Sequence, residues 1–226
     1  INPKLKGFGT TNHPGATGDG IKLGENAGAS TVDLEQIQTH PTVVPNNGEM
    51  ITEAVRGNGA ILINQEGKRF INELQTRDVV SAAELQQTGK VGYLVFDNSV
   101  RRSLKAIETY IKKKLVTEGT TLDELAKKLN INADNLKATI DQYAKFQAAK
   151  KDDAFGRADM PRPLTQGPWY AVQVTPAVHH TMGGLRINSE AQVLNKKGNV
   201  IPGLFAAGEV TGGVHGANRL GGNAMA

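Results

Sequence analysis

The sequence has 226 residues but no cysteine, and aromatic residues make up only 5% of it. Without cysteine, the chain itself can form no disulfide framework, thiolate zinc site, iron–sulfur cluster or c-type haem attachment. No apolar run reaches the roughly 18 residues that a membrane-spanning helix needs. There is also no signal-peptide pattern and no methionine at the first residue. We therefore expect a soluble chain without a membrane span, and the compartment, cytoplasmic or periplasmic, stays open.

What the chain does contain is enough apolar sequence for a core, with 38% hydrophobic residues, and 26 glycines. Its length fits one large domain or two small ones. The net charge is only +4, which suits a small anionic ligand as well as nucleic acid. Composition therefore indicates a folded globular chain and leaves the class of ligand open.

The order of patterns along the chain predicts a helical block, about 99–150, between two glycine-rich stretches of mixed helix and strand. Apolar spacing predicts helices over 21–27, 99–116, 121–129 and 134–149. Short apolar runs predict strands near 31–38, 60–63, 91–96, 170–174, 184–187, 191–194 and 204–206. Turn residues predict a break at His40-Pro41, a hairpin that returns over 69–72, and a second hairpin turn over 195–199.

Three features of the first half could carry chemistry, although each has a plainer interpretation. A lone histidine before proline, as at His40, is more often structural. Glu53 and Arg56 share one face of a helical turn, and such a pair is usually a surface ion pair. Arg77, in a polar stretch, has the pattern of a solvated charge.

Two adjacent histidines, His179 and His180, stand beside a threonine and a glycine pair, which is not a core composition. Adjacent side chains on a strand point to opposite faces. The two imidazoles therefore cannot readily share one metal ion, and we predict no metal site from them. They can serve two different ligands on the two sides of a strand.

The last stretch, 203–224, is a buried strand followed by a glycine-rich loop, and its glycines allow backbone to approach a flat or anionic ligand closely. Glu209, at the end of the strand, is placed to accept ribose hydroxyls. Arg219 is able to clamp a carboxylate with two hydrogen bonds. These residues point to a nucleotide-like cofactor together with a carboxylate substrate.

The segment 206–224, AAGEVTGGVHGANRLGGNA, resembles the flavoprotein subunits of fumarate reductases and succinate dehydrogenases. The motifs HHTMGG, TGDG, HPT and TEAVRGNGA match as well, in the order of the family. The chain is most similar to the soluble fumarate reductases of the flavocytochrome c type, over essentially its whole length. The resemblance implies an oxidoreductase of anaerobic respiration and electron transport that reduces fumarate to succinate.

The resemblance also implies roles for individual residues. Arg77 delivers a proton to one substrate carbon, with Glu53 and Arg56 as its relay, while the flavin N5 gives hydride to the other. Met50 forms an apolar wall beside the substrate. The residues implied to bind substrate are His40, Met50, Thr52, Glu53, His179, Arg219 and Gly222.

On the cofactor side, the resemblance implies FAD held without a covalent bond. The implied contacts are Asp19, His180, Glu209, Ala224 and Met225. A sodium ion is implied among backbone carbonyls near 181–183 and Glu209. The family's G-x-G-x-x-G fingerprint is absent, and so is the helix that should follow Gly222. We therefore expect a fragment without the N-terminal FAD-binding part, whose electrons come from another domain or protein.

The implied fold class is α+β: a clamp (capping) domain, 40–178, inserted in an incomplete α/β FAD-binding domain, 1–39 and 179–226. The resemblance implies fumarate as the small dicarboxylate partner and no nucleic acid. Three alternatives stay open. One is a non-catalytic clamp-domain fragment, another is a reductase of a related unsaturated acid such as urocanate or acrylate, and a more distant one is an L-aspartate oxidase.

Overall fold

The structure is a computed structural model that describes residues 2–216 and 218–225. Its strands are β1 (Gly9–Thr10), β2 (Thr31–Val32), β3 (Ile37–Val43), β4 (Ile61–Ile63), β5 (Gly92–Asp97), β6 (Thr117–Gly119), β7 (Trp169–Thr181), β8 (Gly184–Leu185), β9 (Gln192–Leu194) and β10 (Val200–Phe205). Its α-helices are α1 (Asp19–Asn26), α2 (Glu53–Gly57), α3 (Arg77–Leu85), α4 (Asn98–Ser103), α5 (Ala106–Lys112), α6 (Leu122–Leu129) and α7 (Ala133–Ala149). Short 3-10 helices cover Pro3–Leu5, Thr88–Lys90, Gly208–Val210 and Asn223–Met225. Among the described residues, no helix has the length and apolar character to cross a bilayer.

The chain divides into two compact units, and each combines helices with strands. The first unit comprises Ile1–His40 and Ala177–Ala226, and the second comprises Pro41–Pro176. The predicted boundaries lay at 39/40 and 178/179, whereas the units divide at 40/41 and 176/177. The second unit is thus an insertion in the sequence of the first.

An antiparallel sheet with the strand order β4, β5, β7, β6 forms the centre of the second unit. Ala171 of β7 lies opposite Val95 of β5 on one side and Thr117 of β6 on the other. All six residues of β5 are buried, so both faces of this strand are covered. Its apolar residues belong to a core that also includes Leu125 of α6 and Leu136 of α7.

Helix α6 begins where the sequence predicts, at a capping box. The Thr121 side chain accepts a hydrogen bond from the Glu124 backbone N–H (3.2 Å), and Glu124 accepts one from the Thr120 N–H (2.8 Å). Helix α7 buries Leu136, Ile140 and other residues of its predicted apolar face. Local sequence therefore determines where these two helices lie.

The structure departs from several predictions of local structure, including the strand over 31–38, which is interrupted between β2 and β3, and the buried strand near 204, whose Phe205 is 61% exposed. His40-Pro41 is not a turn but the middle of β3, because the residue before a proline prefers the extended backbone that a strand also uses. The predicted helix over 99–116 is divided into α4 and α5, because Leu104 has an extended backbone (φ −143°, ψ 107°). The predicted last residues of the helix, 113–116, lie between α5 and β6 and are not helical. The predicted hairpin turn after β4 does form, with an antiparallel bridge from Ile63 to Arg69, but the returning segment 69–72 is not a second strand.

The first unit is built from short pairings around a small core. Strand β1 pairs in parallel with the end of β7, β2 pairs with β8, and β9 and β10 form the predicted hairpin around 195–199. The core contains Ala29, Leu185 and Val193. Glycine is required at Gly184, where a Cβ atom would collide with the Val210 carbonyl. This close packing fixes the loop that carries Glu209.

Candidate active site

In the second unit, the start of α2 is anchored at Thr52. The Thr52 side chain accepts a hydrogen bond from the Ala54 N–H (3.4 Å), and the Thr52 N–H donates to the Tyr110 hydroxyl (3.1 Å). Met50 lies just before this cap, in a bridge to Val43. Three of the predicted substrate residues therefore lie at or just before the N-terminus of a short helix: Met50, Thr52 and Glu53.

Glu53 joins the two arginines that the sequence predicts as its partners. Its Oε1 and Oε2 accept hydrogen bonds from Arg77 Nε (2.7 Å) and Nη2 (2.9 Å), and Oε1 lies 3.5 Å from Arg56 Nη2. Arg56 is 3% exposed and Arg77 is 6% exposed, whereas the Glu53 side chain is 39% exposed. The plainer interpretations, a surface ion pair and a solvated charge, are therefore wrong. Sequence spacing could not show that tertiary packing buries both guanidinium groups.

Burial has an electrostatic consequence for Arg56. Loss of solvent lowers the pKa of its guanidinium below the ordinary value, and the neighbouring carboxylates of Glu53 and Glu84 offset only part of this effect. The nearby positive charge of Arg77 acts in the same direction as burial. Arg56 thus releases a proton more readily than an exposed arginine does.

A buried ionic cluster, which no sequence motif indicates, forms hydrogen bonds with Arg56. The Glu73 carbonyl accepts from Arg56 Nη1 (2.6 Å), and the Arg56 carbonyl accepts from Arg157 Nη2 (2.7 Å). The Glu73 carboxylate accepts from Arg157 Nη1 (3.1 Å) and from Arg69 Nε (2.8 Å). Asp152 accepts from Arg69 Nη2 (2.9 Å). Buried charges that pair with one another in this way fix geometry at a cost in desolvation.

In the first unit, the adjacent histidines lie at the end of β7 and point to opposite sides, as predicted. The His179 ring lies 5.2 Å from the His40 ring, and its Nδ1 lies 2.7 Å from the Thr11 hydroxyl. The His180 ring instead lies 5.7 Å from that of His215. His40 and His179 therefore form one group on one face of the strand.

Arg219 is buried, with 4% of its surface exposed. Gln38 donates from Nε2 to the Arg219 carbonyl (2.9 Å) and to Asn218 Oδ1 (2.7 Å), which attaches this stretch of the loop to β3. Arg219 Nη1 donates to the Leu220 carbonyl (3.1 Å). No sequence motif marks Gln38, although its position two residues before His40 on one strand places both side chains on the same face.

The predicted cofactor residues Asp19 and Glu209 line one cavity of about 370 Å³ in the first unit. Residues of the loop 15–18 and the first turn of α1 form much of its wall. Glu209 Oε1 accepts hydrogen bonds from the Thr181 N–H (3.0 Å) and hydroxyl (3.3 Å). Gly18 has a φ of +74°, and a Cβ atom there would meet nothing within 4 Å. A side chain at this position would therefore project into open space beside the cavity.

The remaining predicted residues lie near the end of the described chain. Ala224 and the backbone of Met225 form a 3-10 helix that begins directly after Gly222. The Ala224 carbonyl lies 3.4 Å from the position of a Cβ atom on Gly208. The 3-10 helix Asn223–Met225 is thus close to the loop that carries Glu209, within the first unit.

Comparison with known proteins decides the family. A family model described as "FAD binding domain" matches residues 1–225 of this chain. The chain belongs to this FAD-binding family. Its membership explains why a glycine-rich cavity and acidic side chains occur together in the first unit.

Individual relatives are similar over nearly the whole chain. It is 54% identical over 225 residues to a fumarate reductase (cytochrome) of Shewanella frigidimarina, covering 100% of this chain and 39% of the relative. It is 40% identical over 222 residues to an NADH:acrylate oxidoreductase of Vibrio harveyi, covering 96% of this chain and 22% of the relative. The solved open conformation of a flavocytochrome c3 fumarate reductase matches with a TM-score of 0.79 and 47% identity, covering 99% of this chain and 40% of that one. The chain therefore spans well under half the length of these relatives.

The residues that line the cavity of the first unit have the chemistry that binding of a dinucleotide such as FAD requires. Its wall combines glycine backbone at Gly18 and Gly20 with the carboxylates of Asp19 and Glu209. Glycine permits close approach of backbone to phosphate or to a flat ring, and carboxylates accept hydrogen bonds from ribose hydroxyls. Backbone and carboxylate groups thus supply complementary contacts for a dinucleotide.

Proposed function

We propose that the protein reduces fumarate to succinate, with Arg77 as the proton donor. The observation that carries this proposal is the proton array, which we define as the two buried arginines Arg77 and Arg56 together with the partly exposed Glu53 that links them. When bound, FAD supplies the hydride for one carbon of the double bond. Arg77 supplies the proton for the other carbon, so that one hydride and one proton convert the unsaturated acid into the saturated one.

An arginine can act as an acid only if its proton is replaced at once, because the ordinary pKa of a guanidinium lies far above neutral pH. Glu53 contacts Arg77 through both carboxylate oxygens, at 2.7 and 2.9 Å, and is itself partly exposed. It is therefore able to collect a proton and pass it to Arg77. Arg56, whose pKa is lowered by burial, lies 3.5 Å from the same Oε1 atom of Glu53 and is assigned as a second donor.

Roles in binding the carboxylates of the substrate are assigned within each unit separately. In the first unit, His40 and His179, whose rings are adjacent, and the guanidinium of Arg219 are assigned to carboxylate binding. In the second unit, Thr52 is assigned to it. Met50 provides the apolar wall, and Gly222 allows close approach of backbone. Donors aimed at a carboxylate withdraw charge from the double bond and favour addition of hydride, an effect that grows toward the transition state.

For the cofactor, Asp19 and Glu209 are assigned to FAD because they line the same cavity. His180 and the backbone of Ala224 and Met225 complete the proposed set. A sodium ion is assigned to backbone carbonyls of 181–183 near Glu209. Metal analysis in the presence and absence of sodium, with FAD retention as the readout, tests this last assignment.

The first unit is interpreted as part of an FAD-binding domain and the second as the inserted clamp domain. Because the chain spans well under half of its relatives, the electron donor is assigned to a domain or protein outside the 226 residues. This assignment predicts that an artificial electron donor such as a reduced viologen supports turnover.

A reductase of another unsaturated acid is the second candidate, since an NADH:acrylate oxidoreductase is 40% identical to this chain. The set of Met50, Glu53, His179 and Arg219 favours a dicarboxylate, because each carboxylate then has its own cationic or donor group. A non-catalytic clamp-domain fragment is the third interpretation.

One assay separates these candidates. The purified protein is examined for flavin absorbance and then for oxidation of a reduced viologen in the presence of fumarate, acrylate or urocanate. Flavin absorbance with selective turnover of fumarate supports the proposal. Selective turnover of acrylate or urocanate supports the second candidate, and a folded, colourless and inactive protein supports the third.

A further inference from the structure

The buried face of α3 is largely polar, with Val80 as its apolar member. Arg77, Ser81 and Glu84 occupy positions i, i+4 and i+7 of this helix, so they lie on one side of it. Arg77 is 6%, Ser81 3% and Glu84 0% exposed. Apolar side chains are expected at this spacing on a packed helix, and burial of polar groups there costs free energy. The helix that begins with the proposed proton donor therefore carries a buried carboxyl group two turns later.

The Glu84 carboxyl lies near a backbone donor of β5 and a charged side chain of α2. Its Oε1 accepts a hydrogen bond from the Gly92 N–H of β5 (3.1 Å), and the charged group near it is Arg56 of α2. Its Oε2 is buried and has no hydrogen-bond partner among the described residues. The same holds for Nε of Arg56. A buried acid and a buried base with unused hydrogen-bonding capacity thus lie within electrostatic range of each other.

The charged groups around Arg56 include the other two members of the proton array, Glu53 and Arg77. Arg56 is influenced by Glu53, Glu84, Arg77 and Glu73. Burial raises the pKa of Glu84 well above its ordinary range, and the positive charge of Arg56 and the Gly92 N–H reverse only part of this. Glu84 therefore changes from neutral to anionic at a pH above that of an ordinary carboxyl group.

We propose that Glu84 is a positioning residue of proton delivery, whose charge controls how tightly Arg56 holds its proton. The inference rests on the proposed function, in which Arg56 and Glu53 replace the proton that Arg77 gives away. A neutral Glu84 leaves Arg56 able to release its proton toward Glu53. An ionised Glu84 stabilises the Arg56 cation, so proton replacement slows as the pH rises through the ionisation of Glu84.

The kinetic test compares Glu84→Gln and Glu84→Leu with the unaltered FAD-loaded protein, across a pH range, with fumarate and a reduced viologen. Gln and Leu are uncharged at every pH and similar in volume to Glu. We expect the alkaline decline in kcat to move to higher pH in both variants, so that they exceed the parent several-fold there and agree with it at acid pH. Glu118→Gln, an exposed carboxyl in the same unit, should retain the parent profile.

Two kinetic results overturn the proposal: a pH profile that coincides with the parent profile, or a loss of activity by the same factor at every pH. The second result indicates a purely structural role. Fold is checked by far-UV circular dichroism and by flavin content, and if one variant fails to fold the other supplies the comparison.

Infrared difference spectroscopy tests the pairing without turnover. A protonated buried carboxylic acid has a carbonyl stretch that disappears on ionisation and is absent from Glu84→Gln. In the parent protein, we expect this band to persist at pH values above the range in which ordinary carboxyl groups ionise. In Arg56→Met, which lacks the positive charge, the band should disappear only at a still higher pH than in the parent. A band that does not respond to Arg56→Met overturns the coupling. Absence of fumarate turnover with a responsive band contradicts the proposed function and leaves the electrostatic pairing intact.

Discussion

Glu53 binds Arg77 through both carboxylate oxygens, with Nε–Oε1 and Nη2–Oε2 distances of 2.7 and 2.9 Å. The arginine is buried while more than a third of the carboxylate side chain is exposed. Glu53 is therefore the member of this group that can exchange a proton with solvent, whereas Arg77 and Arg56 are both shielded from it.

Glu53→Gln should slow reduction more than it weakens substrate binding. The amide keeps the size of the side chain but cannot take up and pass on a proton, so Arg77 is not replenished. Because general acid catalysis contributes about 10²–10⁴-fold, we expect kcat to fall by roughly 10²-fold or more, with a smaller change in KM. Steady-state kinetics of the FAD-loaded protein measures both. Equal kcat in Glu53→Gln and the Glu118→Gln control would remove Glu53 from the relay.

Thr11→Val tests whether the histidine pair binds substrate. The Thr11 hydroxyl lies 2.7 Å from His179 Nδ1, and it therefore fixes the orientation and tautomer of the ring. Loss of such a hydrogen bond costs about 1 kcal/mol, which corresponds to roughly a fivefold rise in the Kd for fumarate. Titration of the oxidised protein measures it. Thr88→Val, an exposed threonine of the other unit, is the control, and an equal effect of the two substitutions would contradict the role of His179.

Gly18→Ala tests the cavity as the FAD site. Gly18 and Gly198 both have positive φ, +74° and +80°, and a Cβ atom on either would meet nothing within 4 Å. Alanine should therefore cost each site about 1–2 kcal/mol of backbone strain. Only Gly18 lines the cavity, so Gly18→Ala alone should lose FAD during gel filtration, as read from flavin absorbance per protein. Equal FAD retention by both variants would place the cofactor elsewhere.

Asp152 makes stability depend on pH. Burial alone would raise the pKa of Asp152, but hydrogen bonds and charge from Arg69 and backbone N–H donors hold it below the ordinary value. A carboxyl with a lowered folded-state pKa stabilises the fold above its unfolded-state pKa, and that contribution is lost as the pH falls through the folded-state value.

Asp152→Asn should therefore lower the free energy of unfolding at about pH 7 by about 1.5–3 kcal/mol, with a smaller difference from the parent at about pH 3. Urea unfolding at the two pH values measures this change. The neighbouring Asp153, exposed and paired with Lys151, supplies the matched variant Asp153→Asn, which should change little. A difference between parent and Asp152→Asn that is the same at both pH values would show that the Asp152 charge is not the cause.

Local sequence determines much of this fold, and the errors have identifiable causes. The capping box at Thr121 and the hairpin turn at 195–199 depend on residues close in sequence, and both are found as predicted. The break at Leu104 is not visible in an apolar spacing that continues unchanged through it. His40-Pro41 was assigned to a turn because an extended residue before proline is common to turns and strands.

The candidate site was predicted residue by residue from motifs, whereas its supporting groups were not. Glu73 and Arg157 are separated by more than 80 residues in sequence yet form a salt bridge in the core, and no local pattern signals such a pair. The sequence contains an indication for Glu84, because a residue seven positions after Arg77 in a helix lies on the same face as Arg77. Spacing alone, however, does not distinguish a buried polar face from a solvated one.

The central claim is that Arg77 gives its proton to the substrate. Its most direct test is single-turnover reoxidation of the reduced FAD-loaded protein by fumarate, in Arg77→Lys and in Arg102→Lys, an exposed arginine of the same unit. Lysine keeps the positive charge but cannot form the bidentate hydrogen bond that Arg77 forms with the Glu53 carboxylate. We predict that Arg77→Lys binds fumarate yet reoxidises about 10²–10⁴-fold more slowly than the parent, whereas Arg102→Lys matches the parent. Reoxidation of Arg77→Lys at the parent rate would contradict the account.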